Sequence, residues 1–427
     1  MWRELLHRSA WLAAGSAFGR LLPLLALISS GHRFDAQGYA TVSAAYSWAG
    51  VAMSLSSAGL ATVMVQRLGA IDDRRLQRAL VSYYGRRAAA ASLALAMLAA
   101  AFGAPGLARI FGPTIDPSAA LPAAIAGAMW SQVAVAVAAL NGCHRARAAS
   151  GVLAACGLLQ GGAMAAALIA SPRPLVTAWA IAAGSAAAAA IAWRQLRRLL
   201  GGRLLSAASE APPPPAVPLR AHPVLWHTLA SAAVLPVAFF ASSFVAQGPD
   251  GTHQLALYFA LEQVYQIVVY LPAVMGQTLL PMVARQLHAQ ADAERQLMHR
   301  LTRLALLAAA IGLLLAALLG SVAAALVHLL HNPVVRPDDA WALRWMVAAA
   351  SLAFSLSLLG GAMLGRGQIM NAGQLNLMWA LIFVGTAVAL ASHGTTGLQC
   401  ARVTASVVLI GATAWMLQRP AGGGPRR

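Results

Sequence analysis

Residues 119–170 read AALPAAIAGAMWSQVAVAVAALN, then GCHRARAA, then SGVLAACGLLQGGAMAAALIA. The first and last of these segments are apolar over about 20 residues, the length an α-helix needs to cross about 30 Å of hydrocarbon. The short segment between them carries Arg145 and Arg147 and no acid. Each run is continuously apolar, and a lipid-exposed backbone must satisfy its own hydrogen bonds. The stretch therefore predicts two membrane-spanning helices joined by a basic loop.

The same pattern extends in both directions and gives twelve apolar runs. Six lie in the first half of the chain, at 9–29, 39–65, 87–104, 119–141, 150–170 and 175–193. Six lie in the second half, at 226–247, 255–283, 303–330, 341–364, 374–392 and 397–417. Only 10% of the residues are charged, against about 25% in a soluble domain. We predict an all-α polytopic membrane protein with about twelve transmembrane helices.

The arginines predict the orientation of these helices. With twelve spans both termini share one side, and 23 of the 30 arginines fall in gaps on that side. Six fall on the other side, namely Arg33, Arg109, Arg173, Arg336, Arg344 and Arg402. Because short arginine-rich loops resist translocation, we expect cytoplasmic termini in a bacterial inner membrane. The net charge of +18 then reflects loops that face anionic lipid headgroups, and nucleic acid is not an expected partner.

A proline-rich segment divides the twelve runs into two sets of six. Residues 201–223 include APPPPAVP, a polyproline-type sequence that cannot form a spanning helix. This predicts six-helix lobes at 1–200 and 224–427 joined by a cytoplasmic linker. Because six is even, both lobes enter the membrane in the same sense, as a parallel repeat would. The spacing from Tyr39 to Gly142 is 103 residues and that from Tyr258 to Gly365 is 107, which favours duplication.

Glycine pairs spaced by four residues predict close contacts between helices, because small residues let two backbones approach. The pairs are Gly15 with Gly19, Gly157 with Gly161, and Gly361 with Gly365.

No pattern of catalytic or metal-binding residues is present in the sequence. HExxH, GxSxG and Walker-type motifs are absent, and Cys143, Cys156 and Cys400 lack metal-ligand spacing. We expect no enzyme activity, no metal and no cofactor. A membrane-embedded polymerase, ligase or glycosyltransferase of envelope sugars is the alternative, and the absence of acid pairs and long outer loops argues against it.

The informative polar residues lie inside the predicted spans. Arg20 is 11 residues into the first span, about 16 Å deep, where its guanidinium suits either phosphate oxygens or a structural partner. Glu262 is the only carboxylate deep in a predicted span, and it would either carry a coupling proton or form an ion pair with Arg20. Gln132, Gln160 and Gln277 are weaker candidates, because an amide in a membrane helix usually contacts another helix. Of these, Gln132 is the one we assign to substrate binding.

Short motifs in this chain resemble a known family. They are Gly15-Ser-Ala-Phe-Gly19-Arg20, Asp35-Ala-Gln-Gly38-Tyr39, Gly59-Leu60, Gln66-Arg67, Leu271-Pro272 and Leu280-Pro281. They resemble the polysaccharide flippases, which translocate O-antigen and exopolysaccharide units within the multidrug/oligosaccharidyl-lipid/polysaccharide superfamily. The resemblance covers most of the chain in topology and short patches in motif.

The resemblance implies two lobes in a V shape around a central cavity. It implies alternating-access transport of undecaprenyl-pyrophosphate-linked repeat units for polysaccharide biosynthesis, with a polysaccharide polymerase as a candidate partner. Arg20, aided by Arg67 at the cytoplasmic mouth, would bind the anionic headgroup. A cation-coupled multidrug exporter of the same superfamily is the second interpretation, although one acid and one arginine within the spans favour an anionic cargo. Coupling to a proton or sodium gradient stays open.

Overall fold

The computed structural model describes residues 2–57, 60–68, 73–200, 230, 234–248, 250–287, 291–318, 334–366 and 368–418. The first seven helices are α1 Trp2–Ser30, α2 Ala36–Ser57, α3 Leu60–Leu68, α4 Arg74–Phe111, α5 Ala120–Gly142, α6 Ala146–Ala170 and α7 Pro174–Leu200. The next six are α8 Val234–Ala246, α9 Gly251–Leu287, α10 Ala291–Leu318, α11 Ala340–Gly365, α12 Ile369–Ala389 and α13 Gly394–Gln418.

A helix occurs at every predicted span. The second predicted span, 39–65, contains α2 and α3, which lie on either side of residues 58 and 59, outside the described residues. Within the described ranges, nine helices are long and apolar enough to cross a membrane. Large apolar side chains also face outward, and Phe102 and Ile169 are 68% and 78% exposed. These features confirm the predicted class, an all-α multi-pass membrane protein.

Contacts between Cα atoms divide the chain into two compact units. Unit 1 comprises Met1–Ala260 with Asn332–Val334, and unit 2 comprises Leu261–His331 with Val335–Arg427. The boundary between them falls inside α9. The linker at 201–223 lies outside the described residues, so the lobe bounds at 1–200 and 224–427 stay a prediction.

Three of the helix contacts of unit 1 have counterparts among the described helices of unit 2. In unit 1, α5 packs against α4 and α7, and α7 also packs against α6. In unit 2, α11 packs against α10 and α13, and α13 also packs against α12. When the twelve predicted spans are numbered in chain order, the packed pairs of unit 1 are spans 3 and 4, 4 and 6, and 5 and 6. The corresponding packed pairs of unit 2 are spans 9 and 10, 10 and 12, and 11 and 12. This correspondence supports a parallel repeat.

The helices that finish at Gly142 and Gly365 also end alike. Each is followed by one backbone hydrogen bond spanning four residues and one spanning five, the second being typical of a Schellman motif. The bonds, of 2.8–3.0 Å, run from Cys143 to Ala139, Arg145 to Leu140, Arg366 to Ala362 and Gln368 to Met363. The nearly equal spacing in the sequence therefore marks two turns with the same hydrogen-bond pattern.

Helices α1 and α6 pack closely against each other, and glycines lie at the contact between them. A Cβ on Gly157 would overlap the carbonyl oxygen of Phe18, and one on Gly19 would lie 2.8 Å from the carbonyl oxygen of Leu153. A Cβ on Gly161 would lie 2.9 Å from the carbonyl carbon of Leu22. Two of the predicted glycine pairs thus allow α1 and α6 to meet backbone to backbone, which confirms the expectation for these pairs.

Gly157→Ala is expected to destabilise the protein by about 1–3 kcal/mol, because the added methyl forces α1 and α6 apart. The measurement is the thermal unfolding midpoint of the purified protein in detergent. Gly162→Ala is the matched control in the same helix, since a Cβ there meets nothing within 4 Å. This control should stabilise α6 by about 0.5–1 kcal/mol, because alanine favours the helix over glycine. Equal effects of the two substitutions would contradict the packing argument.

Candidate functional site

A buried ion pair lies inside unit 2, between α9 and α13. Nη2 of Arg402 donates a hydrogen bond of 2.6 Å to Oε2 of Glu262, and these side chains are 5% and 16% exposed. Oε1 of Glu262 accepts a second bond, of 2.7 Å, from Nε2 of Gln266 one turn further along α9. Both carboxylate oxygens are therefore engaged. This arrangement holds the acid in one orientation and compensates its charge.

Further polar and aromatic groups surround this ion pair. The Arg402 guanidinium stacks over the ring of Tyr265, with Cζ 4.5 Å from the ring centroid, a cation–π geometry. Gln399 lies one turn before Arg402 and is fully buried. Its Oε1 and Nε2 have no hydrogen-bond partner in the part of the chain that the structure describes. Such an amide is costly unless it binds something in another state of the protein, because burying an unsatisfied polar group is unfavourable.

The last described helix, α13, carries most of its polar residues on its buried face. The buried polar side chains follow helical spacing and are Thr395, Gln399, Arg402, Ser406 and Thr413. Val407, Val408 and Trp415 face outward instead, at 46%, 42% and 53% exposed. A helix in a membrane has this distribution, the reverse of that in a soluble protein, because its outer face contacts lipid and must be apolar.

Arg402 corrects the sequence analysis in two respects. It was predicted to lie in a gap on the outer side, whereas it is eight residues past Gly394, the start of α13, or about 12 Å along that helix. It is also the ion-pair partner of Glu262, whereas Arg20 was the partner expected in one of the two alternatives for that residue. The signal that identifies Arg402 is the run of polar residues at helical spacing from Thr395 to Ser406, which predicts a buried polar face.

Arg20 lies on α1 in unit 1, ten residues before Ser30 and so about 15 Å from that end of the helix. Its side chain is exposed. Trp11, Phe18 and Leu25 form a stripe at seven-residue spacing that is 37%, 57% and 52% exposed, as expected for lipid contact. Two helical positions separate Phe18 from Arg20, a rotation of about 200°, so Arg20 is on the opposite side of α1 from this stripe.

On that opposite side, Arg20 adjoins a group of polar and aromatic side chains from other helices. Tyr46 of α2 lies near Arg20, and the Tyr46 hydroxyl also lies near Cys156 of α6. The Tyr46 ring makes an edge contact with Trp130 of α5, with ring centroids 4.9 Å apart. Nε1 of Trp130 in turn donates a hydrogen bond of 2.8 Å to the hydroxyl of Ser185 in α7. Arg20 thus stands at the exposed margin of a polar group built from α1, α2, α5, α6 and α7.

The other predicted residues occupy separate places. Arg67 and Gln277 belong to α3 and α9, and their side chains lie outside what the structure describes. Gln132 is half-buried in α5, and its buried Nε2 donates to no acceptor among the described residues. Nε2 of Gln160 donates to Sγ of Cys156 in its own helix at 3.1 Å, a local bond rather than the expected contact between helices.

Comparison with known proteins identifies the fold. No protein-family model matches the sequence, and no curated protein sequence does either. The structure is similar to the MATE multidrug transporter DinF-BH, with a TM-score of 0.72, 16% identity, and 97% of this chain and 95% of that chain covered. It is similar to lipid II flippase MurJ in an inward closed conformation, with a TM-score of 0.68, 11% identity, and coverage of 96% and 87%. It is also similar to an inward-facing multidrug resistance MATE family transporter of the MOP superfamily, with a TM-score of 0.68, 13% identity, and coverage of 96% and 94%. The chain therefore has the fold of the transporters of this superfamily.

Proposed function

We propose that this protein translocates undecaprenyl-pyrophosphate-linked oligosaccharide repeat units across the bacterial inner membrane by alternating access, with both termini in the cytoplasm. The observation that carries the proposal is the exposed Arg20 in the interior of α1, on the opposite face of that helix from the exposed apolar stripe of Trp11, Phe18 and Leu25. Its planar guanidinium matches the paired oxygens of a pyrophosphate. No covalent chemistry is required.

The distribution of charge favours this cargo over a cationic drug. A cationic drug would have to compete with both Arg402 and Gln266 for Glu262, the only carboxylate deep in a predicted span, whereas a proton or a sodium ion is small enough to take the place of the guanidinium alone. Multidrug transporters and a lipid II flippase share this fold, so the choice between them rests on charge. A multidrug exporter remains the second candidate, on the strength of the structures that it resembles.

We assign the coupling step to the Glu262–Arg402 pair. A proton or sodium ion that takes the place of the Arg402 guanidinium at Glu262 would release α13 from α9. Gln399, buried and unsatisfied one turn away, offers a further carbonyl oxygen for such an ion. Hydrogen-bonded charges in a membrane interior are expensive to maintain and typically mark ion pathways.

The test is a deletion strain in which lipid-linked repeat units and drug susceptibility are both measured. We expect repeat units to accumulate on undecaprenyl pyrophosphate, surface polysaccharide to fall, and drug susceptibility to stay constant. The wild-type gene supplied in trans is the control and should restore polysaccharide export. Increased drug susceptibility with normal polysaccharide would instead identify a multidrug exporter.

A further inference from the structure

A basic pocket lies at one end of unit 1, well separated along α1 from Arg20. Its volume is about 660 Å³, and it is bounded by the turn between α5 and α6, the first turns of α6, and parts of α1 and α7. The titratable side chains that line it are all basic: His144, Arg145 and Arg147. Both arginines are exposed, and neither has a carboxylate partner among the described residues. The pocket therefore presents a concentrated positive charge.

The start of α6 adds backbone donors to this charge. Arg145 precedes the helix, and its side chain makes no capping hydrogen bond. The N–H groups of Ala146, Arg147 and Ala148 consequently have no acceptor within the helix, and these three residues line the pocket. Free N–H groups and the positive end of a helix dipole attract phosphate and similar anions. Two independent features, the side chains and the helix start, thus specify the same ligand chemistry.

The position of the pocket indicates the source of that ligand. Trp11, which lines it, belongs to the lipid-facing stripe of α1 that also contains Phe18. Ile191 of α7, another lining residue, is 43% exposed. The Arg147 guanidinium lies 5.2 Å from the centroid of the Trp11 ring, and tryptophan in a membrane protein favours the headgroup level. The pocket therefore adjoins the exposed apolar stripe of α1, on the side of that helix opposite Arg20.

We propose that this pocket binds the phosphate of an anionic glycerophospholipid. Arg145, Arg147 and the first N–H groups of α6 hold the phosphate, while the acyl chains follow the exposed apolar faces of α1 and α7. The volume falls within the range of about 300–1,000 Å³ that small-molecule sites occupy. The inference does not depend on the proposed cargo, because the site is on the lipid side of α1 and the proposed cargo site is on the other.

The test is native mass spectrometry of the purified full-length protein with added phosphatidylglycerol or phosphatidylcholine. We expect phosphatidylglycerol to be retained preferentially. The double variant Arg145→Ala/Arg147→Ala should weaken its apparent affinity by about 30-fold, the effect of two arginines near an anionic lipid. Gly151→Phe should weaken it as well with every arginine in place, because a Cβ at this lining position points into open space and the ring would fill the pocket.

The matched control is Arg74→Ala/Arg75→Ala, which removes two exposed arginines at the start of α4. This control should leave lipid retention unchanged. Equal losses in the control and the pocket variants would overturn the proposal, as would equal retention of phosphatidylcholine. Displacement of the lipid by millimolar inorganic phosphate would identify a site for free phosphate and would also overturn it. Thermal unfolding of each variant establishes that the fold is retained.

Discussion

Arg20→Ala is expected to reduce translocation of lipid-linked oligosaccharide about 100-fold or more. The guanidinium would form at least two charge-assisted hydrogen bonds with the pyrophosphate, and each contributes about 1.5–3 kcal/mol. The fold should survive, because the Arg20 side chain is exposed and its removal leaves no cavity. Insertion should become easier, since an arginine at the centre of a membrane helix costs about 2.5–3.5 kcal/mol.

The measurement is complementation of the deletion strain together with the level of each variant in the membrane. Arg20→Lys keeps the charge but loses the planar fork of donors, so we expect transport between those of wild type and Arg20→Ala. Phe18→Ala is the matched control, because Phe18 lies two residues away on the lipid-facing side of the same helix. Normal export by Arg20→Ala at wild-type abundance would remove Arg20 from the cargo site.

Arg402→Met is expected to destabilise the protein by about 3–5 kcal/mol, because it leaves the Glu262 carboxylate buried without its counter-charge. Glu262→Gln should also be destabilising, since the guanidinium then lacks a negative partner. The double variant should recover most of the lost stability, because removing both charges of a buried pair is often close to neutral. Thermal and chemical unfolding of the four proteins in detergent measure the coupling energy, which we expect to exceed about 1.5 kcal/mol.

Transport by the double variant separates a structural pair from a coupling pair. If Glu262 binds the coupling ion, the double variant will be stable and yet unable to use the ion gradient. Recovery of both stability and gradient-driven transport would eliminate the coupling role and leave the pair as a structural element. Thr404→Ala, at an exposed position of α13, is the control and should change neither property.

The helices were largely predictable from the sequence, because a spanning helix depends on local composition. Two of the three glycine pairs correctly predicted close contacts, but not that Gly157 would meet Phe18, and the pair Gly361 and Gly365 stays a prediction. A small residue signals that a backbone will approach without specifying which one.

The candidate site was only partly predictable, for a related reason. Depth in the membrane follows from counting along one helix, which is sufficient to single out Arg20 and Glu262. The partner of Glu262 depends on which helices are neighbours, and Arg402 is 140 residues away in the chain. The assignment of arginines to one or the other side of the membrane also placed Arg402 in a loop. An arginine near the start of an apolar run is assigned to the adjacent loop, even where the helix has already begun.

The long separation between Glu262 and Arg402 has a consequence for biosynthesis. A ribosome adds about 5–20 residues per second, so Arg402 emerges roughly 7–28 s after Glu262. During that interval α9 has been made with an acid whose counter-charge does not yet exist. The ion pair of unit 2 therefore forms only after α13 has been made, and a nascent chain that stops before α13 retains a carboxylate without its counter-charge.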